Sequence, residues 1–169
     1  MKNLLILLFS ILLIVQSIAL AEYDAINYMN KRELTVLTQG EKINYPLKEG
    51  DLIECYAKRI DGSIDEFKEY NDYFLMKNGN LYSNTMHKIY KPDKGLKKVD
   101  GVKLINDGRT LRLYDPLWEG SIRHHMRTVK IELNTGRYYM KGTQDNWMWY
   151  RNVVTDGYCR VITPETAQY

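Results

Sequence analysis

The sequence that decides the fold lies in the C-terminal third. Residues 101–115 read GVKLINDGRTLRLYD, residues 127–142 read RTVKIELNTGRYYMKG, and residues 147–162 read WMWYRNVVTDGYCRVI. Each stretch alternates apolar and polar residues on either side of a turn signal, which is the period of a strand with one buried face. The turn signals Asp-Gly and Asn-Thr-Gly supply residues that accept a positive φ. The three stretches therefore predict three β-hairpins.

The same pattern continues toward the N-terminus. Residues 51–60 read DLIECYAKRI, in which Ile53, Cys55 and Ala57 form a small apolar face that we expect to point inward. Asn78-Gly79 between two apolar runs predicts a fourth hairpin. So many hairpins leave room for at most one or two short helices. The predicted fold class is mainly β, an antiparallel meander closed into a small barrel or folded into a sandwich.

The N-terminus predicts export. Lys2 precedes the apolar run of residues 4–15, which is too short for a comfortable membrane span, and Ala19-Leu20-Ala21 offers the small residues of a signal-peptidase site. We therefore predict a signal helix in residues 1–21, with cleavage after Ala21. The mature protein is expected to be periplasmic or secreted, with no membrane span. An uncleaved N-terminal anchor is the alternative.

The mature chain has the length of one domain. We predict a single β domain over residues 22–163, followed by a frayed tail at residues 164–169. Residues 22–33 are compatible with a short helix, and residues 34–38 (LTVLT) predict a strand.

The only two cysteines are Cys55 and Cys159. In an exported chain they are expected to pair, because the compartment is oxidising. The bond would close a loop of about 100 residues, which the chain-entropy model credits with roughly 4–5 kcal/mol. Two free, buried thiols are the alternative.

Charge argues against a nucleic-acid partner. The whole chain carries a formal charge of +3, and removal of the signal peptide removes Lys2 and no acid, which leaves 3 − 1 = +2. Basic residues alternate with acidic ones along the sequence instead of clustering. The most basic run, residues 91–98 (KPDKGLKK), contains Pro and Gly and is typical of a solvated loop.

Catalytic patterns are absent from the sequence. There is no G-x-S-x-G turn, no phosphate-binding glycine loop and no cysteine left over as a nucleophile. His124 and His125 are adjacent, so on a strand they would point to opposite faces and would not share a metal. We therefore predict a non-enzymatic protein without metal or cofactor. A hydrolase with dispersed carboxylates is the alternative.

Large aromatic residues mark a candidate ligand or partner surface. Neighbouring residues in Trp147-Met148-Trp149-Tyr150 would face both sides of a strand, so both sides would be at least partly covered. The predicted surface comprises Trp118, Tyr138, Trp147, Trp149 and Tyr150. The alternative is an ordinary aromatic core.

The segments IECYAK, LMKNGNLYS, TGRYYM and DGYC together resemble small exported bacterial β-barrel proteins. In that group a cysteine of an early strand is joined to a Gly-x-Cys near the end of the chain. In these features the chain is similar to periplasmic inhibitors of C-type lysozyme and to lipocalin-like barrels. The inhibitors' Ser-Gly-x-Tyr loop and the lipocalin Gly-x-Trp opening are both missing, so the resemblance transfers no functional residue.

These observations favour an exported, non-enzymatic β-barrel protein that acts as a binding module of the bacterial envelope, with an unidentified protein or envelope partner. One alternative is a lipocalin-like carrier of a small apolar ligand. A second is an inhibitor of an envelope-directed hydrolase.

Overall fold

The computed structural model describes residues 6–7, 10–11, 34–61, 69–83, 97–98, 103–105, 108–120, 123–146 and 149–163. Residues 6–7 and 10–11 are helical. The remainder of the predicted signal peptide, the possible helix at residues 22–33 and the tail at residues 164–169 lie outside the described residues. Within the described part of the chain, no helix is long and apolar enough to cross a membrane.

The fold is mainly β and antiparallel, as the sequence predicts. The described residues form nine strands: β1 (Leu52–Asp61), β2 (Glu69–Lys77), β3 (Asn80–Ser83), β4 (Lys97–Lys98), β5 (Lys103–Ile105), β6 (Thr110–Gly120), β7 (Arg123–Glu132), β8 (Arg137–Asn146) and β9 (Trp149–Ile162). They lie in one sheet in the order β4-β3-β2-β1-β9-β8-β7-β6-β5.

This strand order is a meander whose first and last strands are neighbours. Every strand pairs with the one before or after it in sequence, and β1 also pairs with β9. A pairing between β4 and β5 would complete a closed ring of strands. Among the described residues no pairing joins β4 to β5. The described strands form a sheet that is curled into a half-barrel, and closure into a barrel or sandwich stays a prediction. Among the described residues, the two edge strands are two and three residues long and contain lysines, features that discourage further pairing.

The predicted disulfide is confirmed, and it lies at the β1–β9 junction. Cys55 and Cys159 are directly opposite each other, and their Sγ atoms are bonded. The Cys159 amide donates to the Gly136 carbonyl and the Cys159 carbonyl accepts from Glu41, so both groups point away from β1. The two cysteines therefore form a non-hydrogen-bonded pair, the closer kind of antiparallel pair, with their Cα atoms 4.0 Å apart.

Residues 34–50, which we call the arm, precede β1 and form no strand, so the strand predicted at residues 34–38 is wrong. The Thr35 backbone makes two hydrogen bonds with the Asn71 side chain on β2, of 2.7 and 2.8 Å. Farther along, Glu41 donates to the Cys159 carbonyl and Ile43 to the Leu133 carbonyl. The arm thus crosses from β2 to the ends of β7 and β9, where Ile43 enters the core.

Two predicted turns are confirmed. Asn78 and Gly79 have φ values of 50° and 67° and connect β2 to β3, and Gly136 has a φ of 61° in the turn from β7 to β8. The arm also caps the first of these turns, because the Glu49 carboxylate accepts a 2.6 Å hydrogen bond from the Asn78 amide.

The turn predicted at Asp156-Gly157 is wrong, because β9 runs through both residues. Gly157 pairs with Ala57 of β1, and a Cβ atom at Gly157 would collide with the carbonyl oxygen of Tyr56. The glycine is required for a close approach of two backbones and not for a turn. Proline is disfavoured inside a sheet, but β6 does not end at Pro116. β6 continues to Gly120 with a register shift between Pro116 and Trp118, and such a bulge accommodates a proline.

Candidate binding surface

The two halves of the sheet differ in how their faces are covered. On β1 the inward residues Ile53, Cys55 and Ala57 are fully buried, as predicted, and the opposite face is buried as well from Leu52 to Tyr56. On β6 to β8, buried residues alternate with exposed or half-buried ones over residues 111–114, 128–132 and 137–142. One-sided burial of this kind leaves an outer face in contact with solvent.

The covered part of the outer face of β1, β2 and β9 holds an ion pair whose carboxylate is buried. The Glu54 side chain is completely buried, and its Oε2 atom accepts hydrogen bonds from Arg160 Nε at 2.8 Å and Nη2 at 2.7 Å. Tyr73 donates to Glu54 Oε1 at 3.2 Å. A buried carboxylate needs such partners. The row of Tyr73, Glu54 and Arg160 on three neighbouring strands therefore stabilises the fold. Asn71 projects on the same outer face of β2 as Tyr73, so its two bonds with Thr35 place the start of the arm on this face.

Tyr56 is the next residue of this covered face along β1. Burial raises the pKa of its phenol, and a hydrogen bond to Glu69 and the charge of that carboxylate raise it further. The neutral phenol is therefore favoured well above neutral pH.

Tyr138, which the sequence placed on a ligand or partner surface, lies instead in the core. It is 0% exposed, and its hydroxyl donates a 2.7 Å hydrogen bond to Oδ2 of the buried Asp72. Tyr138 is on β8 and Asp72 on β2, with β9 and β1 between them. The bond is possible because the sheet curls and because Gly157 and Ala57, the next residues of the same row, are small.

The exposed outer face of β6 to β9 carries three tyrosines, which we call the tyrosine stripe. Tyr114, Tyr139 and Tyr158 are 42%, 41% and 36% exposed. Tyr158 pairs with Arg137 of β8, Tyr139 lies two residues farther along β8, and Tyr114 lies on β6 one row beyond Tyr139. With a strand spacing of about 4.8 Å and a rise of about 3.4 Å per residue, the tyrosines follow a diagonal about 20 Å long.

Cations flank the tyrosine stripe. Lys130 lies between Arg112 on one side and Tyr139 on the other in a single row of residues, and Lys141 follows Tyr139 on the same face of β8. Lys130 has a partner in Glu132 at 3.2 Å. Arg112 and Lys141 are exposed and make no ion pair with any described residue.

Cations outnumber anions among the described residues of this face. Arg112 and Lys130 are directly opposite each other on neighbouring strands, and like charges in that position are destabilising. At the other end of the stripe the imbalance is smaller. Arg137 bonds to Asp156 at 3.1 Å, and this hydrogen bond, with the charge of Asp156, raises the pKa of Arg137 above its usual range. The side of the stripe near Arg112 and Lys141 is therefore the one that attracts an anion.

The other aromatic residues of the predicted surface lie at one end of the long strands. The register places Trp118 opposite His125, Trp149 opposite Asn146, and Tyr150 opposite Asp145. This end is remote from the arm. Trp147 lies outside the described residues.

Metal-binding groups give no competing site in the described part of the chain. His124 and His125 are consecutive residues of β7, opposite Glu119 and Trp118. No cluster of three or more His, Cys, Asp or Glu residues capable of holding a metal ion occurs among the described residues.

Comparison with protein-family models, with curated protein sequences and with solved structures finds no match for this chain. Its function must therefore be inferred from its own surfaces.

Proposed function

We propose that this protein is an exported, non-enzymatic binding module of the bacterial envelope, and that its binding surface is the tyrosine stripe with Arg112, Lys130 and Lys141. Tyrosine offers a large, flat, amphipathic contact area at small cost in side-chain entropy, and arginine offers directed charged hydrogen bonds. Protein interfaces are enriched in several residue types, which include tyrosine and arginine.

The observation that carries this proposal is the pair of exposed cations without ion partners beside exposed tyrosines. Folding gains nothing from a cation directly opposite another cation, as in Arg112 and Lys130. A role in binding a partner explains these cations better than a contribution to folding stability does. The strands beneath them are hydrogen-bonded on both sides in β7 and β8, so the side chains are held in fixed relative positions before binding.

Export is the second part of the proposal. A disulfide is compatible with an oxidising compartment outside the cytoplasm, and the signal-peptide pattern at residues 1–21 agrees with it. Expression of the full chain in a Gram-negative bacterium and mass spectrometry of the purified protein test this. We expect a mature chain that begins at Glu22 and is two hydrogens lighter than its reduced form.

The carrier alternative fits the interior less well. Around the disulfide, the inner side of the sheet is filled by buried side chains, and Ile43 and Leu47 of the arm join that core. Tyr138, which belongs to the predicted ligand or partner surface, is buried and already bonds to Asp72. The inhibitor alternative is a special case of the proposed module, in which the partner is an enzyme.

Binding is tested by sedimentation with isolated bacterial envelopes. The mature protein is mixed with washed envelopes and the bound fraction is measured against protein concentration for the wild type, the double variant Arg112→Gln/Lys141→Gln and Tyr139→Ala. We expect both variants to bind at least several-fold more weakly, because each removes part of the surface.

Tyr45→Ala and Lys48→Gln are the matched controls. Tyr45 is 45% exposed and Lys48 is exposed, and both belong to the arm and not to the tyrosine stripe or its cations. We expect these controls to bind like the wild type. Equal sedimentation of the wild type and all variants would refute the assignment of the binding surface.

A further inference from the structure

We propose that the ligand of the tyrosine stripe is an acidic polysaccharide, a linear chain of sugar rings that carry carboxylate or phosphate groups. This inference rests on the proposed function and specifies its partner. It follows from the shape of the stripe, from its charge and from the compartment.

The shape favours a linear ligand. Three half-exposed rings follow one diagonal about 20 Å long, and each lies on a different strand, β9, β8 or β6. The carbon-bound hydrogens of a sugar ring form an apolar face that packs on a flat aromatic ring. A chain of such rings can contact the three tyrosines in succession.

The charge favours an acidic ligand. Lys130 lies in the row between Tyr139 and Arg112, Lys141 follows Tyr139 on the same face of β8, and Arg112 precedes Tyr114 on the same face of β6. An anionic group attached to a sugar above one tyrosine is therefore within reach of a cation on a neighbouring strand. Arginine can hold a carboxylate or a phosphate through two hydrogen bonds.

The surroundings of the tyrosines argue against a globular protein as the main ligand. The centre of a protein interface is depleted in lysine and is built around apolar anchors. Here Lys130 and Lys141 are within the surface, and the neighbouring outer residue Thr128 is small, polar and exposed. A sugar chain presents hydroxyl groups that such residues can bind.

Single-stranded nucleic acid also combines flat rings with negative charge, and proteins bind it by stacking bases on aromatic residues. The disulfide is compatible with an oxidising compartment, where nucleic acid is not the abundant polyanion. The net charge of +3 is also small for a nucleic-acid-binding protein. An acidic polysaccharide agrees with both observations.

The test is isothermal titration calorimetry of the mature, disulfide-bonded protein with four defined probes. An oligogalacturonate supplies both sugar rings and carboxylates. A maltooligosaccharide of the same length supplies rings without charge, an oligoglutamate supplies charge without rings, and an oligothymidylate represents single-stranded nucleic acid. We expect measurable binding of the oligogalacturonate, with at least about tenfold weaker binding of each other probe.

Variants then locate the site. Tyr139→Ala and Arg112→Gln are each expected to weaken oligogalacturonate binding about tenfold, the effect of losing an important contact in an interface. Tyr45→Ala and Lys48→Gln are expected to leave it unchanged. Affinity should also fall as salt is added, because the attraction between exposed charges is screened.

Three results would overturn the inference. Equal affinity for oligoglutamate would mean that charge alone is recognised, and tighter binding of oligothymidylate would assign the tyrosine stripe to nucleic acid. Absence of oligogalacturonate binding would reject an acidic sugar chain. If envelope sedimentation still depends on Tyr139 in that last case, the proposed binding function stands and only the ligand class is wrong.

Discussion

The β2-β1-β9 half of the sheet and the β6-β7-β8 half have the same antiparallel hydrogen bonding but opposite outer faces. In the first half the outer face is buried from Leu52 to Tyr56 of β1, where the Glu54–Arg160 ion pair lies, and it holds the start of the arm through Asn71. In the second half the outer face is exposed and carries tyrosines and cations. The comparison separates residues that maintain the fold from residues that remain available to a partner.

The covered half is also where the ends of the meander meet. The disulfide, the close approach at Gly157 and the hydrogen bonds of the arm all lie at or beside the β1–β9 pairing. Contacts between residues that are far apart in sequence cost much chain entropy when they form. The half that closes the meander therefore contains these stabilising contacts. The other half consists of local hairpins, whose formation costs less chain entropy.

The largest effect is expected from removal of the disulfide. The double variant Cys55→Ser/Cys159→Ser should lose about 2–5 kcal/mol of unfolding free energy, because the unfolded chain is no longer closed across 104 residues. Urea denaturation of oxidised wild type and variant measures this loss. Equal midpoints would show that the β1–β9 junction does not need its covalent bond.

The next effect concerns the buried ion pair. Arg160→Met should cost about 2–4 kcal/mol, because it leaves the completely buried Glu54 carboxylate without its guanidinium partner. The matched control is Arg137→Met, which breaks the exposed pair with Asp156, and urea denaturation should detect little change for it. Similar losses for the two variants would contradict the contrast between a covered and an exposed outer face.

A smaller effect comes from two neighbouring tyrosines on opposite faces of β8. Tyr138→Phe removes the hydroxyl that donates to buried Asp72 and should cost about 1–3 kcal/mol. Tyr139→Phe removes an exposed hydroxyl and should change stability by no more than about 0.5 kcal/mol. Thermal unfolding of both variants checks this. A reversal of the two effects would mean that the faces of β8 have been assigned wrongly.

The smallest effect is a pH dependence at Tyr56. Its pKa is higher in the folded state than in the unfolded chain, chiefly through burial and then through Glu69. The corresponding contribution to stability is present below about pH 10, the ordinary tyrosine value, and is lost as pH rises through the folded-state pKa. Unfolding free energy should therefore decline more steeply above pH 10 in the wild type than in Tyr56→Phe. Identical slopes would exclude this contribution.

Local sequence pattern was sufficient for part of the fold. The alternation in β1 correctly assigns Ile53, Cys55 and Ala57 to the inner face, and two cysteines in a chain with a predicted export signal indicate one pairing. Asp156-Gly157 was misread because the same dipeptide suits a tight turn and a strand that passes close to another backbone. Only the position of β1 beside β9 distinguishes the two.

The candidate site required three-dimensional information. Alternation with Ile53 and Cys55 predicts only that Glu54 points outward, whereas contacts from β9 and β2 bury its side chain. Tyr138 and Tyr139 are adjacent tyrosines whose faces follow from the strand register. Alternation along β8 alone could have placed Arg137, Tyr139 and Lys141 on one face. Their alignment with Tyr114 and Tyr158 depends on how three pairs of strands are registered.

The most direct test of the binding surface is a nitrogen-15 NMR titration of the mature protein with oligogalacturonate. We predict that amide shifts concentrate at the outer positions of β6 to β9, namely Arg112, Tyr114, Lys130, Tyr139, Lys141 and Tyr158, and leave the arm and β2 unchanged. Shifts confined to the far end of these strands, around Trp118 and Trp149, or to the arm, would contradict the account.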